Sequence, residues 1–124
     1  MIKSLVTPTS TYTCEFEEED TNVSIRLPER TILKFKEDGC SNFYTTYMDE
    51  EKFTSFYKRE LKDLRDREAI ESFSSVENQE GETSIQTFSV VLSSGSNIEI
   101  ALVRMDKPGK WTMSIKYFTK QHLE

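Results

Sequence analysis

Histidine is nearly absent from this chain, and His122 is the only one. It stands near the end of the sequence, where chains are least constrained. A Ser-His-Asp or Cys-His pair held rigidly by the fold is therefore not expected. Cysteine is scarce as well, with Cys14 and Cys40 alone. A structural zinc site takes about four Cys or His ligands, and none is expected here. The two cysteines fall on separate predicted segments and no signal sequence is visible, so both are read as free thiols of a reducing, cytoplasmic compartment. The four glycines, Gly39, Gly81, Gly95 and Gly109, all fall at predicted turns or loops. None belongs to a GxxxxGK[ST] or GxGxxG pattern, so nucleotide binding by those routes is excluded. No apolar run approaches the ~18–20 residues of a membrane span. No cofactor is expected.

Basic residues are the next deficit. Lys and Arg number 16 against 22 Asp and Glu, for a net charge of −6. Binding to DNA or RNA is driven by cations that neutralise phosphates, so direct nucleic-acid binding is not expected. The same balance speaks against a polybasic membrane anchor. It favours a protein partner, and a basic one. The charge is also uneven: residues 74–103 hold four acids and no base, whereas residues 104–124 hold five bases and two acids.

Aromatic residues are plentiful, with eight Phe, five Tyr and one Trp. They supply enough large side chains for a core, although the hydrophobic fraction is only 35%. At 124 residues the chain fits one domain. Residues 1–11 read as a flexible lead-in with Pro8 amid Ser and Thr, and 12–124 as a single α+β domain.

Hydrophobic periodicity places the elements. Tyr12, Cys14 and Phe16 alternate with Thr13, Glu15 and Glu17, the period of a half-buried strand. Val23, Ile25 and Leu27 alternate in the same way up to Pro28, which offers no N–H to a ladder. Thr31–Lys36 reads as a third strand, and Asn42–Tyr47, rich in aromatics and Thr, as a fourth. Asp49 then opens a helix as its N-cap, with Glu50 and Glu51 at the positive end of the helix dipole. Phe53, Phe56, Tyr57, Leu61 and Leu64 form one stripe at about 100° per residue. Ile70 and Phe73 fall off that stripe, so the helix is expected to stop near Arg67–Ala69. Residues 74–82 read as an exposed acidic loop. Ser84–Leu92, Asn97–Met105 and Lys110–Phe118 follow as three strands, joined by turns at 93–96 and 106–109. The predicted architecture is a mainly antiparallel sheet of about six to seven strands with one principal helix on one face, in the order β-β-β-β-α-β-β-β.

Acids recur at predicted edges of this fold. Glu17 lies on the wet face of the first strand, and Glu18, Glu19 and Asp20 form the turn after it. Glu50 and Glu51 open the helix, and Glu77, Glu80 and Glu82 lie in the acidic loop. The 15–20 run does not have the spacing of a calcium loop, because its sixth position is Asp20 where a glycine is needed. Tyr44 or Tyr47 is the expected exposed aromatic anchor of the 43–57 cluster. These residues mark the candidate surface of a small, non-enzymatic protein-binding module, such as an inhibitor, an immunity or anti-defence protein, or an accessory subunit. The alternative is a small-ligand or lipid-binding domain with an aromatic pocket between helix and sheet. The chain is expected to be a monomer, or a homodimer through a sheet edge.

Overall fold

Alternation along a strand sorts side chains onto two faces, and the helical stripe must then cover one of them. A computed structural model carries this arrangement; it describes residues 11, 12, 14, 16, 20, 23–37, 40–48, 50–80, 83–104 and 111–119, and only the backbone at 79, 80, 83, 84 and 104. The elements are β1 (Thr11–Tyr12), β2 (Ile25–Arg26), β3 (Thr31–Glu37), β4 (Ser41–Thr46), α1 (Glu50–Asp66), β5 (Ser72–Glu80), β6 (Thr83–Val91), β7 (Asn97–Arg104) and β8 (Trp111–Phe118). Strands β1 and β2 form a two-stranded sheet, and the others form a six-stranded sheet in the order β3-β4-β8-β7-β6-β5. Every pairing is antiparallel. This is the architecture that the periodicity predicts, one helix on an antiparallel sheet.

The inner face of the sheet is built by Tyr44, Phe88, Val90, Ile98, Ile100, Leu102, Met113 and Ile115, all buried. Helix α1 covers the β6 side of this face. Phe53 and Tyr57 bring their rings to 5.8 and 6.1 Å from Phe88. The lead segment covers the β4–β8 side with Tyr12, Val23, Ile25 and Leu27, all buried. Tyr57 Oη donates to the Arg26 carbonyl oxygen at 2.9 Å, which fixes β2 against the helix. Strand β7 lies between β6 and β8.

Helix α1 stops at Asp66 because the next turn reverses. Glu68 takes φ 64°. The Ala69 N–H then bonds the Leu64 carbonyl at 2.8 Å, and the Glu68 N–H bonds the Arg65 carbonyl at 2.9 Å. Those two bonds make a Schellman cap, with Glu68 at the left-handed position that usually holds glycine.

Two local expectations change. The segment 74–82 is not an exposed loop over its described part: 72–80 is the strand β5, paired along its length with β6. Its polar side chains carry little strand signal of their own, and the ladder offered by β6 supplies the order. The lead segment is not one continuous strand to Phe16. Among its described residues only Thr11 and Tyr12 pair, with Arg26 and Ile25. The Phe16 N–H bonds the Cys14 carbonyl at 3.0 Å, so the backbone curls there.

Candidate interaction surface

The two cysteines are not free thiols, because Cys14 is disulfide-bonded to Cys40 across 26 residues of sequence, with their Cα atoms 5.1 Å apart. The bridge ties the lead segment to the β3–β4 connection. Beside it Tyr12 Oη donates to the Cys40 carbonyl oxygen at 2.5 Å. Separate predicted segments gave no reason to pair them; packing of the lead segment across the sheet does.

Among the predicted acids, Asp20 is internal. It is 2% exposed. Its carboxylate accepts from Ser94 Oγ at 2.8 Å and from Tyr117 Oη at 2.5 Å. It is therefore a corrected site residue: it fastens the lead segment to the sheet and is covered from solvent. Glu17, Glu18, Glu19 and Glu82 lie outside the described residues. Glu80 closes β5, and only its backbone is described. Glu51 and Glu77 are exposed, and Glu50 is half-buried at the start of α1.

Among the described acids, Glu50 and Glu51 lie at the opposite end of the sheet from Asp20. Ser94 and Tyr117, which hold Asp20, sit at the end of the sheet where Val91, Asn97 and Phe118 align. Helix α1 begins after Thr46, which lies opposite Trp111 at the other end.

Tyr44 is the second correction. It is fully buried, and its hydroxyl accepts from Asn42 Nδ2 at 3.1 Å. Alternation along β4 turns it inward with Asn42 and Thr46. Burial raises its phenolic pKa, against a smaller lowering by the Asn42 hydrogen bond. Tyr47, by contrast, is 38% exposed, with the Arg30 guanidinium 5.3 Å over its ring.

Between helix and sheet the aromatic stripe of α1 meets the inner face of β6. Phe53, Tyr57 and Phe88 fill the space and are all fully buried. A cleft of about 340 Å³ opens where β2 meets α1, lined by Arg26, Phe56, Arg59, Glu60 and Asp63. Its lining is mostly charged and already paired. Arg26 Nε lies 3.2 Å from the buried Glu60 Oε1, and Arg67 Nε lies 3.0 Å from Asp63 Oδ2.

The exposed apolar residues gather elsewhere. Ile32 is 54% exposed and Phe35 47% exposed, both on the border strand β3. Phe35 stacks on Phe43 with centroids 4.8 Å apart and planes 17° apart. Lys116 Nζ lies 5.6 Å from the Phe43 centroid. In the β7–β8 ladder Lys116 stands opposite Glu99. The row Phe35, Phe43, Lys116, Glu99 thus crosses the sheet face that α1 leaves open.

Phe35 was missed because a plain period of two puts it on the face of Leu33. The β3–β4 register shifts between Leu33 and Phe35, leaving Lys34 as an extra residue. That bulge carries Phe35 to the open face, opposite Phe43. The only hint in the sequence is the pair of lysines flanking Phe35, a common feature of sheet edges.

Fold and surface together define a sheet with one helix-covered face and one open face, bordered by an apolar strip. Comparison with family models, curated proteins and solved structures finds no match to this chain. Among the described residues no helix is long and apolar enough to cross a membrane.

Proposed function

We propose that this chain is a non-enzymatic protein-binding module that engages its partner through the β3 border and the adjoining open face. The observation that carries the reading is the clustering of Ile32, Phe35 and Tyr47 at one border while nearly all other large apolar side chains described are covered. Exposed apolar residues rimmed by charge are a common mark of protein contact. Here the rim holds Arg30, Lys34, Lys36 and Lys116, with Glu37 beside Lys36 and Glu99 opposite Lys116. Its basic sense favours an acidic or neutral contact surface, in place of the basic partner that the overall charge suggests. The helix-facing acids keep a lesser role, as long-range steering charges.

Pull-down from the native source, comparing the natural chain with Ile32→Glu and Phe35→Glu, tests the reading. A stoichiometric partner should be held by the natural chain and lost by both variants. Retention of that partner by both variants overturns the assignment of this surface. A disulfide such as Cys14–Cys40 belongs to oxidising surroundings, so the cytoplasmic placement that two free thiols implied has lost its basis. Alkylation trapping of the two thiols in the native source reads the compartment directly.

A further inference from the structure

We infer that the partner of the β3 border is a second copy of this chain, which adds its β5 edge to β3 so that the antiparallel sheet continues from one molecule into the next. This rests on the reading above that the β3 border is an interface, and it names the occupant.

Strand direction comes first. The six strands alternate in the order β3-β4-β8-β7-β6-β5, each antiparallel to its neighbour. With an even number of strands, β5 runs opposite to β3. A second copy in the same orientation therefore brings its β5 antiparallel to β3, with both helices on the same side of the joined sheet. Among the described residues neither edge has a neighbour on its outer side, and an edge of that kind presents a row of unpaired backbone groups.

The side chains agree with that placement. Val76 on β5 is 49% exposed and lies opposite Thr87, on the open face. Phe35 on β3 lies on the same face. Seating Phe35 opposite Val76 of the second copy joins two exposed apolar residues across the seam. In the same register Lys34, the residue before Phe35, meets Glu77, the residue after Val76. Cross-strand pairs of this kind set register in antiparallel ladders.

Charge selects this pairing over the symmetric ones. Strand β3 holds Lys34 and Lys36 against a single acid, Glu37, whereas β5 holds Glu77 and Glu80 and no base. Two β3 edges bring two net-positive strands together, and two β5 edges bring two negative ones. Only β3 on β5 brings opposite charge together. The Lys34 bulge and the lysines guard β3 against its own kind. Because the joined surfaces differ, a pair of copies still has a free β3 at one end and a free β5 at the other, and assembly does not stop at two.

Sedimentation velocity on the natural chain, over a rising concentration series at low salt, tests the inference. Species larger than a dimer should grow with concentration and recede as salt is added. Lys34→Glu and Glu77→Lys should each weaken association by about fivefold or more. An equimolar mixture of the two variants should recover it, since each variant edge then finds an opposite charge on the other chain. Circular dichroism verifies that both variants keep the native fold. A chain that stays monomeric throughout, an assembly that ends at a dimer, or a mixture that fails to recover each overturns the inference. Loss of self-association with Phe35-dependent capture of another protein retained overturns this pairing alone. Loss of that capture with self-association retained overturns only the assignment of a different protein to this border.

Discussion

Burying a carboxylate is tolerable only where donors replace the water it gives up. Asp20 has two such donors, the hydroxyls of Ser94 and Tyr117. Replacing Asp20 by Ala removes the acceptor that both hydroxyls share. The expected loss is about 2–3 kcal/mol, the scale for hydrogen bonds to a charged group, read from urea unfolding. A loss near zero would show that Asp20 is not the fastener described. Composition alone sets Asp20 among the surface acids, and nothing within the EEED run distinguishes it from the glutamates before it. Its place depends on Ser94 and Tyr117, 74 and 97 residues away. Glu68 is a second residue whose role is set by conformation. A left-handed backbone costs a residue with a Cβ about 1 kcal/mol relative to glycine. Glu68→Gly should therefore stabilise the chain by about 0.5–1 kcal/mol in the same assay, and a destabilised variant would contradict the cap assignment. The end of the helix itself is legible from the sequence, because Ile70 and Phe73 leave the apolar stripe.

Elements show where local pattern suffices and where neighbours decide. The stripe of α1 is a regular 3.6-residue pattern, and Phe53, Tyr57, Leu61 and Leu64 are all buried as it requires. In β8, alternation places Met113, Ile115 and Tyr117 inside, as it should. The lead segment behaves differently. Its two-residue strands are short, and the Cys14–Cys40 bridge holds it across the sheet. In the loop-closure view, a cross-link spanning 26 residues removes enough denatured-state freedom to contribute about 3–4 kcal/mol. Reduction, or a Cys14→Ser and Cys40→Ser double variant, should lower unfolding stability by about that amount while the strands of the larger sheet persist. An unchanged denaturation midpoint under reducing conditions would rule out a structural role for the bridge. Strand β5 marks the opposite limit of legibility. Its sequence, SFSSVENQE, reads as a loop because strand propensity is a property of the surface a segment joins as much as of the segment.

At the scale of the whole molecule, burial changes the response to alkali. Tyr12, Tyr44 and Tyr57 have their phenols pushed up from the ordinary value of about 10, chiefly by desolvation. Their unfolded counterparts release protons near pH 10, while the folded ones retain theirs. The unfolded chain thus binds fewer protons above that pH, and stability falls as pH rises. Below pH 10 this contribution is fully present. Absorbance titration should show these three phenols ionising together with unfolding, above the range of an exposed tyrosine. Their free titration near pH 10 in a folded chain would refute the packing of the tyrosine core. The net charge of −6 acts on this same scale, through solubility and steering, and it describes no single face: β3 is locally basic within an acidic molecule.

The sequence by itself determined the class of fold, the helix and its buried stripe, the order of the principal strands and the direction most strand residues face. Those properties follow from periods of 3.6 and 2, which are local. Tertiary structure alone decided that Cys14 meets Cys40, that Asp20 and Tyr44 are internal, that 72–80 is an edge strand, and that a bulge at Lys34 turns Phe35 outward. Each of these depends on which distant segment lies alongside, and on one extra residue in a ladder whose partner strand fixes the count.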